Sequence, residues 1–102
     1  MKTTTTVLIK TMRGDILQFL YGIAPSKAKE SSITKAYSEY YPYKDLLRAI
    51  HYLREAGYIH LEEIPNPSTD NLESFYVISS EGMCIVERTK TDVGITIATE
   101  DD

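Results

Sequence analysis

The spacing of apolar residues near the start of the chain predicts helices. Apolar side chains recur every three or four positions along residues 10–23, which is the spacing of one buried helix face. Gly14 weakens the early turns, and Pro25 ends the helix because the residue before a proline is disfavoured in the helical region. A second, shorter helix is predicted from a cap at Ser32 to about Tyr40.

The next segment carries start and stop signals and two chemically different faces. Pro42 suits the first helical position and Gly57 suits the left-handed position that follows a helix, so a third helix is predicted over residues 42–56. Successive side chains turn by about 100° around a helix, which places an apolar face opposite a polar face here. The apolar positions are Leu46, Ala49, Ile50 and Leu53, and the polar positions are Lys44, Arg48, His51 and Glu55. One face therefore packs, and the other is available to a partner.

After the third helix the pattern changes to strands. Residues 58–64 and 73–78 predict two strands, and the residues between them, which include Pro, Asn and Ser, predict a loop. The segment is therefore expected to form a β-hairpin. A last helix is predicted from Ser79 or Ser80 to about Arg88.

Both ends of the chain show strand-like alternation of apolar residues. The predicted organisation is an extended N-terminal segment over residues 1–9, one α+β domain over residues 10–88, and a C-terminal segment with an acidic tail over residues 89–102. Two extended segments can pair within one chain or between two chains, which satisfies their backbone hydrogen bonds. We therefore predict a homodimer with the terminal segments at its interface. A monomer with a loose tail is the alternative.

Composition places the chain among ordinary globular proteins. Its 102 residues are 42% hydrophobic and 25% charged, which suits one domain with one modest core. No apolar run approaches the roughly 20 residues of a membrane-spanning helix, and the residues after Met1 lack an apolar signal-peptide core. The single cysteine, Cys84, cannot form an internal disulfide. We therefore expect a cytoplasmic protein with no membrane partner.

The net charge of −4 conceals an asymmetry between the two halves of the chain. Residues 1–54 carry nine Lys or Arg against four Asp or Glu, a net charge of +5. Residues 55–102 carry two against eleven, a net charge of −9. A surface that attracts DNA phosphates must therefore lie in the first half, because the second half repels them.

Two motifs lie on either side of the predicted hairpin, LREAGYI at residues 53–59 and YVISSEG at residues 76–82. The first resembles the end of the recognition helix, and the second the junction between the second wing strand and the next helix, in the winged helix-turn-helix transcription regulators of the MarR, PadR and ArsR kind. The resemblance covers about residues 10–88 and implies a three-helix core, a two-stranded β-wing and an additional short C-terminal helix. It also implies sequence-specific binding of double-stranded DNA through the helix at residues 42–56.

The polar face of this helix supplies the candidate DNA contacts. We expect base or phosphate contacts there, because Arg suits guanine and Lys suits either guanine or phosphate. The predicted DNA-binding residues are Lys35, Tyr43, Lys44, Arg48 and His51. Where the resembling regulators touch the DNA backbone, the further candidates are Lys27, Lys29 and Tyr41. The alternative is an ordinary solvated helix face for the cations and core packing for the tyrosine.

Two departures from the resembling regulators keep a second function open. The hairpin tip, residues 62–74, carries four carboxylates and no Lys or Arg, whereas DNA-binding members usually place a cation there. The long terminal helices on which MarR and PadR proteins dimerise have no counterpart in this sequence. The alternative function is therefore a protein-interaction module that uses its acidic wing or tail and does not bind DNA.

The sequence gives little support to other chemistries. His60 and Glu62 share a strand face, but even with His51 they make too few ligands for a metal site. Cys84 has acidic neighbours, which do not favour a reactive thiolate. The sequence has no evident nucleophile with its base, carboxylate dyad or glycine-rich phosphate loop. We therefore expect neither an enzyme nor a bound cofactor or metal.

Overall fold

The computed structural model describes residues 5–98, which fold into four α-helices and a three-stranded antiparallel sheet. The elements are α1 (Thr6–Ile23), β1 (Ala28–Lys29), α2 (Glu30–Ala36), α3 (Tyr43–Glu55), β2 (Ile59–Pro65), β3 (Leu72–Ile78) and α4 (Ser80–Glu87). The strands lie in the order β1-β3-β2. The predicted α+β class is confirmed. No helix in this described part of the chain is long and apolar enough to cross a membrane.

The core lies between α1, α3, α4 and one face of the sheet. α1 runs through its centre and contacts α3, α4 and β3. The largest fully buried side chains are Met12, Ile16, Leu17, Leu20, Ile33, Leu46, Ile50, Leu53 and Ile59. Full burial of such a side chain contributes roughly 1.5–3 kcal/mol, so the apolar stripes of α1 and α3 fix the position of α3 on the domain.

α3 and the elements after it follow the predicted pattern closely. α3 begins at Tyr43, one residue after the predicted start, because Pro42 takes the extended conformation of an N-cap with a ψ of 145°. Gly57 has the predicted left-handed conformation, with a φ of 85°, and turns the chain into β2. β2 and β3 pair along their whole length. The hydroxyl of Ser79 then caps α4 by accepting a hydrogen bond from the N–H of Gly82 at 3.1 Å.

A short strand, β1, lies between α1 and α2, where the sequence pattern predicts no strand. Ala28 and Lys29 pair with Tyr76 and Phe75 of β3 and so cover part of one edge of the hairpin. α2 follows this strand directly and therefore starts before the predicted cap at Ser32. It also ends before Tyr40, because the chain turns after Ala36 towards α3.

α1 begins earlier than the apolar pattern predicts. The Oγ1 atom of Thr5 accepts a hydrogen bond from the N–H of Leu8 at 3.2 Å and so caps the helix. The prediction of an extended segment over residues 1–9 is therefore wrong for residues 6–9, which are helical. The capping hydroxyl and the apolar stripe of α1 outweigh the two-residue alternation. Residues 1–4 lie outside the described part of the chain.

Residues 89–98, termed the C-terminal strap, cross α1 without forming a strand. The N–H of Thr96 donates to the carbonyl of Lys10 at 3.1 Å. The Nη1 atom of Arg13 donates to the carbonyl of Gly94 at 3.0 Å. These bonds join the strap to the first half of α1.

The strap approaches α1 most closely at Gly14. A Cβ atom at this position would lie 1.8 Å from the carbonyl oxygen of Thr96, so a glycine is needed here. Ile95 and Ile97 pack against the core from the strap, which accounts for their alternation in the sequence. The predicted strand in this segment, and its pairing with the N-terminal segment, are therefore wrong. The acidic tail at residues 99–102 lies outside the described residues.

The carboxylate of Asp92 anchors the strap to α3 and to the start of the hairpin. It accepts hydrogen bonds from the hydroxyls of Tyr52 at 2.9 Å and Tyr58 at 2.6 Å. It also accepts from the N–H of Gly94 at 2.7 Å. Partial burial favours a higher pKa for Asp92, but these hydrogen bonds and the charge of Arg13 outweigh it and lower the pKa. Burial, together with the hydrogen bond to Asp92 and the charge of its carboxylate, raises the pKa of Tyr58 to about 12.

Candidate nucleic-acid interface

α3 presents its polar side to solvent because its apolar side is fixed in the core. The predicted packing positions Leu46, Ala49, Ile50 and Leu53 are all buried. The exposed side chains of α3 are Tyr43, Lys44, Arg48, His51, Arg54 and Glu55. Four of the five predicted DNA-binding residues therefore lie on the exposed side of one helix.

The cations near α3 differ in how far they are engaged by carboxylates. Lys35 is exposed in the last turn of α2, which packs against α3. Within residues 5–98, neither Lys35 nor Lys44 forms an ion pair. Arg48 pairs within α3, where its Nη1 atom lies 3.1 Å from Oδ1 of Asp45. This side of the molecule thus carries accessible positive charge although the whole chain has a net charge of −4.

Two of the residues predicted to contact the DNA backbone form ion pairs with the hairpin. The Nζ atom of Lys27 pairs with Oε1 of Glu62, and that of Lys29 lies 3.3 Å from Oε1 of Glu73. The pKa of Glu73 is lowered, chiefly by a hydrogen bond from Asn66 and also by Lys29. The pairing of β1 with β3 brings these groups together. The two lysines therefore neutralise hairpin carboxylates instead of forming a cluster with Lys35.

The hairpin tip keeps its acidic and apolar character. Glu63 and Asp70 form no ion pair in the part of the chain that the structure describes. Ile64 and Leu72 are exposed beside them. This tip has no cation of its own with which to contact a phosphate.

Tyr41 is committed to an internal contact. Its hydroxyl donates to Oδ2 of Asp15 at 2.8 Å, and burial together with this hydrogen bond raises its pKa to about 12. Tyr37, four positions earlier, donates to the carbonyl of the same Asp15 at 3.0 Å. The tyrosine of this turn that is exposed is Tyr40. Tyr37 and Tyr41 are four positions apart and contact the same residue, whereas Tyr40 does not share this spacing. This spacing is the signal in the sequence that distinguishes the two packed tyrosines from the exposed one.

The side chains considered for a metal site or a reactive thiol do not form a common site. Within residues 5–98, no three His, Cys, Asp or Glu side chains are close enough to hold a metal ion. Glu62 is instead paired with Lys27. Cys84 is a free, half-buried thiol on α4. The grouped and exposed functional side chains are thus those of α2 and α3.

Comparison with known proteins relates this architecture to transcriptional regulators. No protein-family model matches the chain, and no curated protein matches its sequence. Among solved structures, the reduced form of the transcriptional regulator YodB from Bacillus subtilis superposes with a TM-score of 0.60 at 14% identity, over 76% of this chain and 69% of that one. A transcriptional regulator from Clostridium thermocellum, Cth-833, gives a TM-score of 0.60 at 19% identity, over 86% of this chain and 84% of that one.

A third similar structure contains DNA. Bacillus subtilis PadR in complex with operator DNA superposes with a TM-score of 0.59 at 13% identity, over 87% of this chain. The fold is a winged helix. Here β2 and β3 form the wing, and β1 adds a third strand to the two that were predicted. At these identities the likeness shows the fold alone, and this chain spans only 55% of the length of the PadR chain.

Proposed function

We propose that this chain is a sequence-specific regulator of transcription that binds double-stranded DNA through α3. The observation that carries the proposal is the exposed row of Lys44, Arg48 and His51 on a helix whose opposite side is buried. A helix fixed in this way can enter the major groove, which is about 12 Å wide, without unfolding any of the core. The solved complex of PadR with operator DNA supports the proposal by showing one protein of this fold on DNA.

Each exposed side chain has a role that follows from its chemistry. The guanidinium of Arg48 suits the O6 and N7 atoms of a guanine, while Lys44 and His51 suit base edges or phosphates. Tyr43 lies at the N-terminal end of α3, and Lys35 on α2 suits a phosphate beside the groove. Lys27, Lys29 and Tyr41 are left out of the proposed interface, because their polar groups are already engaged within the chain.

The salt dependence of binding measures the size of the phosphate footprint. Each neutralised phosphate contributes a slope of about −0.9 to the dependence of log K on log salt concentration. Lys35, Lys44, Arg48 and one or two other cations should give a slope of roughly −3 to −5 per protomer. Fluorescence anisotropy on a duplex selected from random sequence, titrated at several salt concentrations, measures this slope. A chain that binds no duplex at low salt would contradict the proposal.

Single alanine substitutions test the assignment of α3. Lys44→Ala and Arg48→Ala should each weaken binding to the selected duplex, and the double variant should abolish specific binding. Both side chains are exposed, so the circular dichroism spectrum should be unchanged. Lys90→Ala is the matched control, because it also removes one positive charge from an exposed lysine. Lys90 follows α4 and pairs with Glu81 of that helix. Equal loss of affinity in the control and in the α3 variants would mean that binding depends on net charge only.

We also propose that the DNA-binding form is a homodimer, because helix-turn-helix proteins commonly bind two-fold symmetric operators as dimers. The exposed apolar residues Val7 and Leu8 at the start of α1 support a second copy at this end, since 72% and 46% of their surface is accessible. Val7→Asp should then give a monomer in analytical ultracentrifugation. Leu72→Asp, a similarly exposed position at the wing with 61% accessible, should stay dimeric. A monomeric wild-type chain would contradict this proposal.

The second candidate function is a protein-interaction module. The acidic, apolar wing tip with Glu63, Ile64, Asp70 and Leu72 favours it, because such a surface suits a protein partner better than a phosphate backbone. The two functions differ in their electrostatics. The module would show no salt-dependent DNA binding, and charge reversal at Lys44 and Arg48 would leave its partner affinity unchanged.

A further inference from the structure

Asp45 and Arg48 form an ion pair that lies entirely on the proposed DNA-binding helix. The two residues are one helical turn apart, with Nη1 of Arg48 lying 3.1 Å from Oδ1 of Asp45. Their exposures differ sharply, because 17% of the Asp45 side chain is accessible against 76% of the Arg48 side chain. The carboxylate is thus a largely covered, fixed group, while the guanidinium extends into solvent.

The ion pair itself contributes little to stability, although Asp45 also suits the first turn of α3, where a carboxylate favours the helix N-terminus. Isolated ion pairs on the surface of a helix contribute little to the free energy of folding. An unpaired acidic group on a DNA-facing helix would weaken binding, because it repels the phosphates. This cost to phosphate binding is offset if the carboxylate improves what Arg48 does.

The geometry of the pair favours a role in orienting Arg48. A guanidinium has five N–H donors in a planar fork, and the bond to Asp45 engages only the Nη1 side. Parallel donors on Nε and Nη2 can still bind the O6 and N7 atoms of a guanine together. The bond also directs the side chain towards the N-terminal end of α3, which is the end that contacts base edges in helix-turn-helix proteins. An arginine held in place loses less conformational entropy when it binds.

We infer that Asp45 is a positioning residue that holds the guanidinium of Arg48 for guanine recognition and so sets the base preference at one position of the DNA site. The inference rests on the proposed function. Asp45 then raises the preference for one base and lowers the overall affinity for DNA, since the same carboxylate repels every phosphate near α3. The two effects can be separated by experiment, because they change in opposite directions when the charge is removed.

The experiment compares Asp45→Asn with the wild-type chain on two kinds of DNA. The specific probes are four duplexes that differ only at the base pair whose preference is lost in Arg48→Ala, and the non-specific probe is an unrelated duplex. We expect discrimination in favour of guanine to fall by about 5- to 10-fold in Asp45→Asn, within the range of one bidentate base contact. Binding to the unrelated duplex should become tighter. Glu81→Gln, which also removes one acidic charge, should leave the base preference unchanged.

Two further variants separate positioning from a merely structural role. Asp45→Glu keeps the charge but moves the carboxylate, so it should lower discrimination without tightening non-specific binding. In an Arg48→Ala background, Asp45→Asn should no longer alter the base preference, because the group it positions is absent. If Asp45→Asn is too unstable to measure, Asp45→Glu and its double variant with Arg48→Ala give the same comparison.

The outcomes distinguish this inference from the proposed function. Unchanged guanine preference in Asp45→Asn and Asp45→Glu, with specific binding intact, would overturn the positioning role and leave the proposed function standing. A change in base preference when Asp45→Asn is added to Arg48→Ala would also overturn it, since Asp45 would then act without Arg48. A wild-type chain without DNA binding would overturn both.

Discussion

Replacing Gly14 with alanine tests whether the C-terminal strap contributes to the stability of the domain. In a helix without neighbours, the change would stabilise by roughly 0.5–1 kcal/mol, because glycine is the poorer helix former. In this chain the new Cβ would lie 1.8 Å from the carbonyl oxygen of Thr96 and 2.8 Å from its carbonyl carbon. Both are backbone atoms of the strap, so either α1 or the strap must move.

The expected change in the free energy of unfolding combines one stabilising contribution with two destabilising ones that are linked. Overpacking against a rigid neighbour typically costs about 1–3 kcal/mol. A shifted strap also loses the hydrogen bond from Thr96 to Lys10, which contributes about 0.5–1.5 kcal/mol. The two losses overlap because they follow from the same movement. After subtraction of the gain in helix propensity, Gly14→Ala should lower the free energy of unfolding by about 1–2 kcal/mol.

Gly22→Ala is the matched control for this prediction. Gly22 lies in the same helix, and a Cβ atom there meets nothing within 4 Å. Urea denaturation followed by far-ultraviolet circular dichroism should give a lower midpoint for Gly14→Ala and an equal or higher midpoint for Gly22→Ala. A Gly14→Ala chain as stable as the wild type would refute the reasoning, because it would mean that the strap does not press on α1.

The remaining predictions concern the tyrosine and carboxylate contacts. Asp92→Ala leaves the hydroxyls of Tyr52 and Tyr58 without their acceptor and should lower the free energy of unfolding by about 1–3 kcal/mol in the same assay. The pKa is raised from 10.0 to about 12 by burial and by a neighbouring carboxylate in Tyr41, Tyr58 and Tyr76. The folded state holds these protons more tightly than the unfolded state, so their stabilisation is complete below pH 10.0 and is lost as the pH rises towards 12. Denaturation at increasing alkaline pH should show this loss, and Tyr58→Phe should reduce it. In acid, the lowered pKa of Asp92 means that its stabilisation is present above its ordinary value of 3.8 and is lost as the pH falls through the folded-state pKa.

The parts of the fold that were predictable depend on local signals. The apolar stripe of α3 and the left-handed Gly57 are set by residues within a few positions of each other. The serine cap of α4 is equally local. The exposure of Arg48 and Lys44 follows from the same stripe, so this part of the candidate interface was visible in the sequence.

The parts that were missed depend on residues far apart in the chain. Gly14 looks like a weak point of a helix until the carbonyl of Thr96 is seen against it. The engagement of Lys27 by Glu62 follows from the register of β1 on β3, which no local pattern specifies. The commitment of Tyr41 to Asp15 likewise joins α1 to a distant turn. These contacts decide which of the cations and tyrosines have polar groups accessible to a partner.

The docking of the strap on α1 also determines when the domain can complete its folding. The bond between Arg13 and Gly94 spans 81 positions, and the bond between Gln18 and Ala98 spans 80. During synthesis, the strap therefore cannot dock on α1 until nearly all of residues 1–98 have left the ribosome. Contacts of such long range slow folding, because a large loop must close before they form. A circular permutant that joins the strap to α1 through a linker and opens the chain between α2 and α3 would make these contacts local and keep the β2–β3 hairpin intact, so the strap should dock on α1 earlier in refolding.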